Sequence, residues 1–116
     1  MKKLVLAAIL ATGVFVALPA QAKSARCVIT SASGPVYSGP CIFTPEGKGG
    51  FTLTSVRPQG HLGETLVAVT VEVTGPGEAF VRGMEEGYPN SAWGDAKRSR
   101  QDPACWVGAD FRICAY

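Results

Sequence analysis

The chain has 116 residues, with eleven basic residues against nine acidic ones and four cysteines. A chain of that length holds one domain at most. Lys2 and Lys3 account for the positive excess, and without them nine basic residues face nine acidic ones, so bulk charge offers no case for nucleic acid or a membrane surface as partner.

Lys2 and Lys3 form a short positive segment, and Leu4 to Leu18 is an almost unbroken apolar run. Pro19 breaks that run, and Ala20-Gln21-Ala22 follows as a small-x-small box. Basic, apolar and small-residue parts in this order predict a secretory signal peptide over residues 1–22, cleaved after Ala22. The apolar run is about 15 residues, short of the roughly 20 that a helix needs to cross a bilayer. Arg26 precedes Cys27, where lipoprotein processing wants a small residue, so a lipid anchor is set aside. No second apolar stretch is long enough for a membrane span. The expected product is a single periplasmic or secreted domain of residues 23–116.

Cys27, Cys41, Cys105 and Cys114 are an even count in a short exported chain, which predicts two disulfides. Local pairing, Cys27 with Cys41 and Cys105 with Cys114, is preferred because each pair closes a hairpin-like segment. A tight turn centred on Ala109-Asp110 would set Cys105 opposite Cys114, Trp106 opposite Ile113 and Val107 opposite Arg112. Directly opposed residues are near enough for a disulfide. The crossed pairings, which tie the chain ends together, stay open at this level. Such bridges matter in a domain with little buried surface. A closed loop of about 15 residues is worth about 3 kcal/mol in the chain-entropy account.

Along the rest of the chain, Arg26–Ser31 and Cys41–Thr44 read as short strands punctuated by Pro35, Pro40 and Pro45. Proline cannot donate to a ladder, so one of them is expected at an edge. Gly47–Gly50 is a turn, Phe51–Val56 a strand and Arg57–Glu64 a loop. Thr65–Thr74 is the strongest strand, with Val67, Val69, Val71 and Val73 alternating with smaller or polar residues. That valine face must meet a core. Gly75-Pro76-Gly77 turns the chain into Glu78–Arg82, and Ala104–Ala115 forms the last hairpin. About seven short strands predict an all-β fold, a small antiparallel sandwich or barrel stapled by two disulfides. Gly83–Pro103 shows no strand pattern and is expected to be a long polar loop, with a short helix over Ser91–Arg100 capped by Ser91. Long loops of this kind are often functional.

Residues for catalysis are sparse. His61 is the single histidine and lies in a Gly-rich loop without a nucleophile motif, which makes it a surface histidine. Zinc normally takes three or four Cys or His ligands, and the cysteines are spoken for. Glu85 and Glu86 are adjacent and would point to opposite faces of a strand, whereas glycosidase chemistry needs two carboxylates facing one cleft. Gly47-Lys48-Gly49-Gly50 lacks the spacing of a phosphate-binding loop. The chain is therefore expected to be no enzyme and to need no metal or cofactor. The one positive cluster is Lys97, Arg98 and Arg100 between Trp93 and Trp106, a combination suited to a sugar, a phosphate or an acidic protein surface.

Two resemblances follow from longer stretches. Ser91-Ala-Trp-Gly-Asp-Ala-Lys-Arg-Ser-Arg100, Asp102 to Cys114 with its Cys-Trp and Ile-Cys-Ala ending, Tyr37 to Phe43 and Gly49-Gly50-Phe51 resemble a group of small exported proteins of alphaproteobacteria. That likeness implies a shared fold with two disulfides and carries no mechanism. Ser33-Gly34-Pro35-Val36-Tyr37 is similar to the S-G-x-x-Y motif of periplasmic lysozyme inhibitors, small β domains. It implies a loop in which Ser33, Gly34 and Tyr37 carry a small polar group to the carboxylates of a hydrolase. The expected function is a small envelope binding domain for an unidentified protein or glycan, with inhibition of a lysozyme-type hydrolase as the alternative.

Overall fold

The computed structural model describes residues 21–116. The signal-peptide expectation falls on residues 1–22 and so lies almost wholly outside the described residues.

The fold is all-β. Eight strands, β1 (Lys23–Ser31), β2 (Gly34–Pro45), β3 (Phe51–Thr54), β4 (Leu66–Gly75), β5 (Glu78–Glu85), β6 (Tyr88–Arg98), β7 (Cys105–Gly108) and β8 (Phe111–Ala115), follow one another around a closed antiparallel barrel. Closure comes from β1 against β8, with Cys27 opposite Ala115 and Ser31 opposite Phe111. Tyr116 extends the seam through a reciprocal backbone pair with Arg26, at 2.8 and 3.0 Å. Connections alternate between the two ends. The upper end carries the turns after β1, β5 and β7 and the long connection 55–65. The lower end carries the connections after β2, β4 and β6 together with the two termini of the barrel.

An eight-stranded barrel is just wide enough for side chains to fill it. Ile29, Leu53, Val69, Val71, Val81, Trp106 and Ile113 do so, with Leu62 and Leu66 entering from above. No polar or charged side chain is buried among the described residues. Small residues make room for the large ones. At Gly83 a Cβ would stand 2.5 Å from Trp93 Nε1, and at Gly108 one would stand 2.2 Å from the Phe111 ring.

The last hairpin has the register its sequence implies, Cys105 opposite Cys114, Trp106 opposite Ile113 and Val107 opposite Arg112. Both local disulfides form, Cys27–Cys41 and Cys105–Cys114. The first joins diagonal positions inside the barrel, where both cysteines belong to the core. The second sits on the outer wall, since Trp106 and Ile113 take the inward positions between its cysteines. It is nevertheless covered. Arg112 places Nε 3.4 Å from Cys114 Sγ and Nη2 3.3 Å from Cys105 Sγ, and the Tyr116 hydroxyl lies 3.6 Å from Cys105 Sγ.

Five expectations need correction. The stretch Gly83–Pro103 is not a long loop, and Ser91–Arg100 is not a helix: Tyr88–Arg98 is β6, the strand that raises the count from about seven to eight. Its composition is poor for a strand, but β5 pairs with it along most of its length and β7 pairs with its last three residues. That tertiary pairing overrides local preference. Val67 does not join the valine face. It is the extra residue of a bulge between Leu66 and Ala68, and Leu66 takes the buried place instead. The second strand is much longer than Cys41–Thr44 and includes Pro35 and Pro40. These prolines are tolerated because β3 begins pairing only at Ile42, so Gly34–Cys41 has a strand on one side only. The third strand is shorter than Phe51–Val56, ending at Thr54.

Candidate functional site

The upper end holds a concavity of about 740 Å³. Three of the four connections at that end and the neighbouring strand ends contribute to it. The two-residue turn after β1 brings Ser31, Ala32 and Ser33, continued by Pro35 and Val36 of β2. The connection 55–65 brings Glu64 and Thr65, the end of β5 brings Glu85, and the turn after β7 brings Asp110 and Phe111. Ala92 and Trp93 of β6 complete the wall.

Trp93 is aimed by backbone irregularity. The pairs Val81 with Gly94 and Arg82 with Ala92 leave Trp93 as the extra residue of a bulge, a feature that re-aims a side chain. Its ring lies over Gly83 and meets Phe111 edge-on, with centroids 5.8 Å apart. Trp93 is thus anchored from below and half-buried, with part of its surface facing the concavity.

The electrostatics of the wall are one-sided. Glu64, Glu85 and Asp110 line it, and no lysine, arginine or histidine does. None of these three carboxylates forms an ion pair among the described residues. Nor do they converge as ligands: no group of three or more His, Cys, Asp or Glu among the described residues is arranged to hold a metal ion. Glu85 and Glu86 diverge, as adjacent residues should. Glu86 lies on the turn and meets His61 Nε2 at 3.5 Å.

The basic and aromatic residues expected to form one patch are distributed over the barrel. Trp93 is at the upper end. Arg98 lies five residues further along β6, about 16 Å at strand spacing, and stacks on the Trp106 ring at 4.5 Å near the lower end. Its Nη1 donates to the Pro103 carbonyl at 2.8 Å. Trp106 is a core residue with 2% of its surface exposed, so it offers no binding face. Lys97 projects from the outer wall toward Glu78, at 3.7 Å, and Arg100 sits in the lower connection after β6. Of the five, Arg98 and Trp106 meet as packing, and Lys97 and Arg98 line one shallow concavity of the outer wall together with Glu78 and Asp95.

The S-G-x-x-Y residues also separate. Ser33 is exposed at the tip of the β1–β2 hairpin on the rim of the concavity, and Gly34 closes the turn at φ 123°. Tyr37 runs the other way along β2, where its hydroxyl donates to the Pro40 carbonyl at 2.6 Å. Ser33 and Trp93, expected in two different sites, instead line the same concavity. Glu64, Glu85, Asp110 and Phe111 were not candidates as a set, and no spacing in the chain links them. Only barrel closure brings them to one end.

At the lower end, Asp102 and Tyr116 form a polar latch. The Tyr116 hydroxyl donates to Asp102 Oδ2 at 2.5 Å, and the Ala104 N–H donates to Oδ1 at 3.2 Å. The Tyr116 hydrogen bond, then the Ala104 one, hold the Asp102 carboxyl below its ordinary pKa, and the same bond to Asp102 raises that of Tyr116.

Among the described residues no helix is long and apolar enough to cross a membrane. Comparison of the chain with protein-family models, with curated proteins and with solved structures found no match.

Proposed function

We propose that this chain is an exported binding domain that captures its ligand at the upper end of the barrel, and that it is not an enzyme. The observation that carries this reading is the concavity itself: a half-buried tryptophan, hydroxyl groups and unpaired carboxylates face one open space. Concave sites with an aromatic wall and a few polar groups are the usual form of a ligand site. Two disulfides in so small a domain suit an oxidising compartment. With the predicted signal peptide they support a periplasmic or secreted location, as does the resemblance to small exported bacterial proteins.

The test is a titration of the oxidised, isotopically labelled protein with soluble cell-wall fragments and with fractionated envelope and secreted proteins. Amide shifts are expected at Ser33, Glu85, Trp93 and Asp110. Trp93→Ala should abolish them, and Arg98→Glu, at the other end, should leave them in place. Equal binding by the Trp93→Ala variant sinks the site, and turnover of the added material during the titration overturns the non-enzymatic reading.

The second reading is inhibition of a lysozyme-type hydrolase through Ser33. Its support is the exposure of Ser33 at a hairpin tip, from which a small polar group can reach into a partner's cleft. Lysis of cell-wall substrate should slow in the presence of the protein and recover with Ser33→Arg. Unslowed lysis at excess protein rejects it.

A further inference from the structure

The barrel is not paired equally all the way up. β5 accompanies β6 to Glu85 opposite Tyr88, but β7 pairs with β6 only from Ala96 to Arg98. The β7–β8 hairpin turns back at Ala109 and Asp110, well short of the top of β6. From Tyr88 to Asp95, β6 therefore has a strand on one side only. Among the described residues, no backbone hydrogen bond from a connection reaches this stretch. Tyr88, Pro89, Asn90 and Ala92 are exposed.

A second one-sided stretch at the upper end is treated differently. Gly34–Cys41 of β2 lies beyond the reach of β3, but the connection 55–65 packs against it. Leu62 of that connection is fully buried, and Gly63 lies so close that a Cβ there would stand 2.5 Å from the Val36 carbonyl. That edge is covered, and the upper edge of β6 is open. The concavity lies directly beside the open one, with Ala92 and Trp93 belonging to both.

We propose that the free edge of β6 accepts an extended polypeptide segment as an added strand, and that a basic side chain of that segment enters the carboxylate-lined concavity against Trp93. This rests on the upper end being the binding end and names the class of partner. An open edge presents backbone donors and acceptors in the spacing of a strand, which another extended backbone matches; here the regular stretches lie on either side of the bulge at Trp93, and Pro89 contributes no donor. Side chains of an added strand alternate between its faces, so every second one points to the concavity side. There Glu64, Glu85 and Asp110 meet no cation of their own. A lysine or arginine supplies the charge, and the face of Trp93 stabilises it further. A second copy of this chain is the poorer occupant. Its β6 carries no lysine or arginine from Tyr88 to Asp95, so pairing two copies through this strand would bring two carboxylate-lined mouths together with no cation between them.

The experiment titrates the oxidised full chain with a capped heptapeptide of alternating lysine and valine. Two controls run beside it, the same peptide N-methylated along one backbone edge and a glutamate-for-lysine version. The proposal expects amide shifts from Tyr88 to Asp95, slowed hydrogen exchange along that stretch and a shift of the Trp93 indole. Each control peptide should bind about tenfold more weakly or worse, because it loses ladder bonds or charge-assisted contacts. The protein variant carrying Glu64→Gln and Asp110→Asn should lose about tenfold for the lysine peptide while its unfolding midpoint stays unchanged. No shift on β6 at millimolar lysine peptide, equal binding of all three peptides, or a dimer joined through β6 overturns the proposal. Cell-wall fragments that shift Ser33, Trp93 and Asp110 while the peptide leaves β6 unmoved overturn it too, and leave the binding end standing. Shifts confined to the lower end with every ligand overturn both.

Discussion

Trp93 and Trp106 show how little a residue type says about its role until its neighbours are known. Trp106 alternates inward on β7 and fills the barrel, with Arg98 across its ring. Trp93 is displaced by a bulge onto Gly83 and keeps part of its surface free. Gly83→Val therefore drives a side chain into the Trp93 ring. We expect a loss of about 1–3 kcal/mol, the usual range for overpacking, together with a change in tryptophan fluorescence. Denaturant unfolding checks it, and unchanged stability would mean that the ring is not seated on Gly83. The latch of Tyr116 on Asp102 gives a pH signature. A carboxyl with a depressed folded pKa stabilises the fold above its ordinary pKa and loses that contribution as pH falls through the folded value. A phenol with a raised pKa contributes below its ordinary value and loses that as pH rises through the folded one. The midpoint difference between the native chain and Tyr116→Phe should thus be present at neutral pH. It should close in strong acid, as Asp102 protonates, and again in alkali, as Tyr116 ionises. A difference that is flat with pH would mean that this bond does not form.

Among elements, the β7–β8 hairpin was legible from sequence and β6 was not. In the hairpin, tight turn, opposed cysteines and apolar alternation all agree, and the register follows from counting. In β6, polar and small residues interrupt the alternation, and a bulge shifts its phase. One local sign was present: Glu86-Gly87, with Gly87 at φ 85°, turns the chain between Glu85 and Tyr88 much as Pro76-Gly77 does between Gly75 and Glu78. A positive φ at the second turn position is what glycine supplies most readily. The two disulfides staple different hairpins. Replacing Cys27 and Cys41 together by alanine should cost about 3 kcal/mol, with a slightly smaller loss for the shorter loop of Cys105 and Cys114. Thermal or denaturant unfolding of both double variants measures the two losses. The core pair should cost more than its loop length alone implies, because both of its sulfur atoms fill interior space.

Over the whole molecule, stability should follow the pairing. β1 has β8 on one side and β2 on the other, and β4 is flanked by β3 and β5. Their amides should exchange slowest, at rates set by global unfolding. Tyr88–Ala92, paired on one side and exposed except at the half-buried Ser91, should exchange far faster despite lying in a long strand. Uniform protection along β6 would mean that its upper edge is covered. The same asymmetry explains the placement of the candidate site. A barrel in which every strand reached equally far would have no free edge beside its mouth.

The sequence by itself determined the all-β class, the presence of two disulfides with a preference for local pairing, the β4–β5 turn and the register of the final hairpin. Each depends on a period of two, a turn residue or a cysteine spacing that acts over a few residues. Tertiary structure alone decided the rest. It made β6 a strand, moved Val67 off the core face, sent Arg98 and Trp93 to opposite ends, and gathered Ser33, Glu64, Glu85 and Asp110 around one opening. Those outcomes arise from closing a staggered sheet on itself. Closure sets which strands outrun their neighbours, and contacts between residues far apart in the chain leave no local pattern to read.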